Sequence, residues 1–158
     1  MKSLTQSIKE SLQSRLNEAR ITPKDEKLFW KWIEDLGGTE MMDKINKEES
    51  GEPLYKKAAE LGTTEEQFNM FCEVFYLIAS DILDIIEDDE PDMSDDSCQY
   101  ASWSAPFYGE KAYKELLKSK DWYSICDENE GERVGYAMTD DEYADYLADN
   151  NLEPKGFK

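Results

Sequence analysis

At 158 residues with 39% hydrophobic content, the chain is long enough to bury one core, and Trp30, Trp32, Phe68, Phe71, Phe75, Trp103, Phe107 and Trp122 exclude a disordered acidic tail. A formal charge of −19 disfavours nucleic acid and anionic membranes as direct partners and favours a basic protein. The chain has no histidine, which removes Ser-His-Asp and Cys-His nucleophile arrangements and most zinc sites.

Leu4, Ile8, Leu12 and Leu16 recur every fourth residue and predict a basic amphipathic leader helix over residues 1–20. Its apolar stripe is too narrow to anchor a core. Lys2, Lys9, Arg15, Arg20 and Lys24 against Glu10 and Glu18 give residues 1–24 a net +3, which leaves −22 on the remainder. The acidic helical domain is expected over 21–150. It opens with Thr22 as N-cap, Pro23 at the first helical position and Asp25 at the positive end of the helix. Leu28, Phe29, Trp32, Ile33 and Leu36 form its apolar face, and Gly37-Gly38 stop it. A short helix presenting Met41, Met42 and Ile45 follows, then "GEP", then another short helix closed by Gly62.

Thr63 and Glu66 are positioned as a capping box for the main helix. Phe68, Phe71, Cys72, Phe75, Ile78, Ala79, Ile82 and Ile85 keep the 3.6-residue period along it. Ser94 is set to cap the next helix, which Pro106 breaks or kinks. The helix then resumes with Phe107, Ala112, Leu116 and Leu117 inward. "WYSIC" and "RVGYAM", separated by "DENEGE", predict a small C-terminal β-hairpin. Thr139 with Glu142 caps a last helix carrying Tyr143, Tyr146 and Leu147, and residues 151–158 are expected to fray. The fold class is therefore mainly α (α+β): one compact helical domain with a small hairpin and a separable leader.

Cys72, Cys98 and Cys126 are an odd number without CxxC spacing, which fits a reducing, cytoplasmic compartment. The most apolar run, "VFYLIASDILDII", is interrupted by Asp81 and Asp84, and the first twenty residues are too polar for a secretory signal. No phosphate-cradling GxxxxGK[ST] loop is present. "DDEPDMSDDS" lacks the glycine and distal glutamate of a calcium loop, and Gly131 falls one place early in "DENEGE". No metal and no cofactor are expected.

The acids that stand out are Glu87, Asp88, Asp89, Glu90, Asp92, Asp95 and Asp96 in one run, and Asp140, Asp141, Glu142 and Asp145 in another. Carboxylates on rigid helices can imitate phosphate spacing and occupy the basic groove of a DNA-acting protein. The expectation is a non-enzymatic acidic binding protein. A carboxylate-dependent hydrolase is an alternative, because so acidic a chain always offers carboxylate pairs.

Two segments carry resemblances. "FWKWIEDL" and "MSDDSCQYASWSAPFYGEKAYKELL", within residues 26–123, resemble an uncharacterised bacterial helical domain family that reads FWxLIE, then a helix, then SDDSFxxFxxWLIxxGxxxY. Ser94, Asp95, Asp96, Ser97, Gly109 and Tyr113 fall at matching spacing, with Cys98 and Ala101 in place of two family aromatics. This implies a helical fold and admits an immunity or housekeeping role. Residues 1–19 resemble the head-targeting propeptides of tailed phages with T4-like assembly. Those end at Leu or Ile, any residue, then Glu; here Leu16-Asn17-Glu18 precedes Ala19. That resemblance implies an internal head protein, trimmed in the capsid interior and delivered to the host cytoplasm; with the −22 body and the missing catalytic groups, the expectation is that the acidic body blocks a basic, nucleic-acid-acting host protein.

Overall fold

The computed structural model describes residues 21–125, 130–138 and 140–158. The leader with Leu16, Glu18 and Ala19, and also Cys126 and Thr139, lie outside the described residues. Among the described residues the chain is mainly helical, with α1 (Pro23–Leu36), α2 (Thr39–Glu48), α3 (Glu52–Glu60), α4 (Glu65–Asp89), α5 (Asp95–Ser104), α6 (Glu110–Ser119), α7 (Glu130–Ala137) and α8 (Asp140–Asp149). Two 3-10 turns, Ala105–Tyr108 and Trp122–Ile125, complete it, and no strand is present among these residues. No helix there is long and apolar enough to cross a membrane.

The first helix follows its sequence signals. The Thr22 side chain accepts the Asp25 backbone N–H at 3.1 Å, and the Asp25 carboxylate accepts the Thr22 N–H at 3.0 Å. Phe29, Trp32, Ile33 and Leu36 are buried, and so is Trp30, which stacks on Tyr113 of α6 at 5.5 Å. Helix α4 is the central strut, about 37 Å long at 1.5 Å per residue. Its buried face carries Phe68, Phe71, Cys72, Phe75, Ile78, Ala79 and Ile82 as expected, with Ile86 rather than Ile85 fully inside. Trp32 stacks on Phe71 at 4.6 Å and Phe68 on Tyr143 of α8 at 4.2 Å, so α1 and α8 grip the same end of α4. Pro106 does break the α5 run: the Ala105–Tyr108 turn seats Phe107 against Phe75. On α6, Tyr113 and Leu117 are buried while Ala112 and Leu116 are half-buried.

Three expectations are corrected. The α4 cap is Thr64 with Gln67, one residue later than Thr63 with Glu66. Thr63 is fully buried and its hydroxyl is occupied by the Trp32 indole N–H at 2.9 Å, while its carbonyl accepts the Tyr143 hydroxyl at 2.6 Å. The hairpin is absent where its segments are described. Trp122–Ile125 is a 3-10 turn, and Arg133–Ala137 lies in α7, where Val134 and Ala137 are buried at helical spacing, with Met138 buried just beyond its end. Finally, the 151–158 segment is docked. Phe157 is 5% exposed beside Phe71, its N–H and carbonyl both bond the Gln67 side chain, and Gly156 donates to the Gly62 carbonyl at 2.8 Å. Gly62 has φ +86°, and a Cβ there would meet the Gly156 carbonyl oxygen. Lys31 closes the arrangement, lying over the Phe157 ring and donating to the Lys158 oxygen at 2.7 Å.

Candidate acidic binding face

The first acidic run straddles the α4–α5 corner. Glu87, Asp88 and Asp89 end α4, Glu90 is its C-cap, and the chain turns through Pro91 and Asp92. Ser94 then caps α5 by accepting the Ser97 N–H at 3.1 Å, which puts Asp95 and Asp96 in the first turn. Glu87, Asp88, Asp92, Asp95 and Asp96 are exposed. Among the described residues these five and Glu90 form no ion pair with lysine or arginine. Asp89 is different. It accepts the Trp122 indole N–H at 3.1 Å and lies 3.8 Å from Lys120, so it ties the Trp122–Ile125 turn to α4.

The second run is elsewhere. Asp140 and Asp141 open α8, and the Phe68–Tyr143 stack fixes α8 at the start of α4. From Phe68 to Glu87 along α4 is about 28 Å at the helical rise, so the two runs are separate patches. Glu142 is engaged internally, accepting the Tyr55 hydroxyl at 2.6 Å; Asp145 is exposed.

What the structure adds to the first patch is aromatic. Asp96, Tyr100 and Trp103 fall at i, i+4 and i+7 and so share one side of α5. Glu132 and Tyr136 do the same on α7. The two helices lie close because α7 presents Gly131 and Gly135 to α5. A Cβ at Gly131 would collide with the Tyr100 carbonyl, and one at Gly135 with the Trp103 ring. Trp103 then contacts Tyr136 edge-on at 5.6 Å and Tyr100 at 6.2 Å. Tyr136 is 61% exposed; neighbouring Tyr76 is 38% exposed and donates its hydroxyl to the Gly135 carbonyl. Desolvation, then the charges of Glu132 and Asp96, raise the Tyr100 hydroxyl above its ordinary pKa, and a hydrogen bond with the Glu132 side chain acts in the same direction. The sequence signal for this seam was the Gly131-x-x-x-Gly135 spacing in "EGERVGYA".

Chemically, the face offers carboxylates and open aromatic rings, a combination suited to organic cations. Two open clefts of about 600 and 590 Å³ lie elsewhere: one between α1 and the start of α6 with Lys27 and Lys111, the other along α4 with Cys72, Glu73 and Tyr76. Asp81 is the one carboxylate in the buried class among the described residues, and with Glu26 it flanks Tyr113. Neither acid lines those clefts; the carboxylates that do, Glu34 and Glu110 in the first and Glu66 and Glu73 in the second, are exposed. Among the described residues no group of three acid or cysteine side chains is arranged to hold a metal ion. Compared with known proteins, the chain matches no family model, no curated protein and no solved structure.

Proposed function

We propose that this chain is a non-enzymatic acidic binding protein that captures a basic protein on the α4–α5–α7 face. The observation that carries this is the last turn of α4, where three acids and no base stand at the negative pole of a helix. Each acid at that pole destabilises the helix by roughly 0.3–1 kcal/mol. Glu87 and Asp88 have no cation on them among the described residues that would offset this. A surface selected for solubility alone has no reason to concentrate acids at the least favourable place, whereas a binding surface does.

In the phage reading, the partner is a basic, nucleic-acid-acting host protein, and residues 1–18 are removed after Glu18. An immunity domain would use the same face against a basic toxin; head genes or toxin genes beside the coding sequence separate the two. The direct test is capture from bacterial lysate on the immobilised protein. Basic proteins retained at low salt, released at high salt and lost from a Glu87→Lys, Asp88→Lys variant are expected. If nothing basic is retained, the proposal fails. Intact mass from the native source tests the processing step independently.

A further inference from the structure

The α5–α7 seam carries information beyond net charge. Carboxylates alone attract lysine and arginine about equally, but here Asp96 lies one helical turn before Tyr100 and Glu132 one turn before Tyr136, and Tyr100, Trp103 and Tyr136 are contiguous rings. The rings are not fully used in packing: Tyr136 exposes 61% of its surface and Trp103 is only partly buried. The one cation on α7, Arg133, lies 3.6 Å from Glu49 at the end of α2. A guanidinium is planar and weakly hydrated, so it can stack on a ring while forking its N–H groups to a carboxylate; an ammonium is compact and strongly hydrated.

We infer that this seam selects arginine: the partner presents an arginine-rich segment whose guanidinium groups stack on Tyr136 and Trp103 while Asp96 and Glu132 accept their N–H groups. The inference rests on the binding function proposed above and names the chemistry of its partner. Close helix approach at Gly131 and Gly135 is what brings the α5 rings and the α7 ring into one platform. Trp30, Trp32 and Trp122 are buried, which leaves Trp103 as the tryptophan positioned to report contact at the surface.

The test titrates the full chain with an oligoarginine and an oligolysine peptide of equal length at low salt, reading affinity and tryptophan fluorescence. Arginine peptide is expected to bind about fivefold more tightly, with a change in Trp103 emission. Tyr136→Ala should abolish that preference and Tyr136→Phe should keep it; Tyr136→Ala also loses its contact with Trp103 and melts somewhat lower, so both variants are titrated well below their melting transitions. Equal affinities for the two peptides, or a preference that survives Tyr136→Ala, overturn the inference while leaving electrostatic capture intact. Failure of both peptides to bind overturns the binding proposal itself. A salt-sensitive dimer that forms without peptide and is lost in Tyr136→Ala assigns the face to a second copy and also overturns the inference.

Discussion

The last turn of α4 and the first turn of α8 carry the same side-chain chemistry at opposite poles of a helix. Glu142 stands in the first turn of α8, where backbone N–H groups point outward, and a carboxylate there stabilises the helix. Glu142 also holds the Tyr55 hydroxyl, so stability alone accounts for its position. Glu87, Asp88 and Asp89 stand where carbonyls point outward, and only Asp89 has an internal task. Asp95 and Asp96 resemble Glu142 in being well placed on their own helix, yet they adjoin the unfavourable group across one turn of chain. Acid content thus has two physical origins here, and helix polarity tells them apart where a count of charges cannot.

That comparison breaks most completely if the platform beside the α4 end is opened. Gly131→Ala or Gly135→Ala would wedge α7 from α5, and each is expected to lower stability by about 1–3 kcal/mol, measurable by denaturant unfolding. Next in size is the α8 cluster: Glu142→Ala should cost about 1 kcal/mol. The loss stays moderate because the Tyr55 hydroxyl also lies 2.8 Å from the Ala137 carbonyl and can donate there. The opposite sign is expected at α4. Asp88→Lys should raise stability by about 0.3–1 kcal/mol while weakening capture of a basic partner, and a parallel melt and binding assay checks both. A destabilised Asp88→Lys protein would collapse the distinction between the two clusters.

The smallest effect appears only in alkali. Burial, and then the charges of Asp81 and Glu26, raise the Tyr113 hydroxyl above the usual phenol range; burial, then Tyr146, does the same for Tyr143. The unfolded chain loses these protons first, near pH 10 as an ordinary tyrosine does, so the folded state binds more protons above that pH. Their contribution is complete below about pH 10 and declines as pH rises toward the folded values. Tyr113→Phe should therefore leave neutral stability nearly unchanged and move the alkaline unfolding midpoint upward.

Much of this fold is written in local chemistry. Thr22-Pro23-Asp25, the apolar period of α4, Ser94 and Pro106 each act within a few residues and were legible. What failed was decided from afar. Thr63 and Thr64 are equal as caps until the Trp32 indole takes one hydroxyl. "RVGYAM" has strand-forming residues, but its glycine spacing matters more once α5 supplies a surface for Gly135 to rest on. The polar tail hides one decisive residue, Phe157. The acids of the site were visible as residue types. Their division was not: nothing local tells Asp89, bonded to Trp122, from Asp88 in solvent.

The Gln67 amide has a consequence in time. It both caps α4 and holds Phe157, which lies 90 residues further along the chain. On a ribosome moving at about 5–20 residues per second, the start of α4 waits roughly 5–18 seconds for that partner. Until then Phe71 lacks its last aromatic neighbour and the Gly62 carbonyl its donor. Phe29 and Trp32 precede α4 and can cover Phe71 at once, whereas Phe157 is the last of its aromatic neighbours to be made, so the longest helix described is formed early and sealed late.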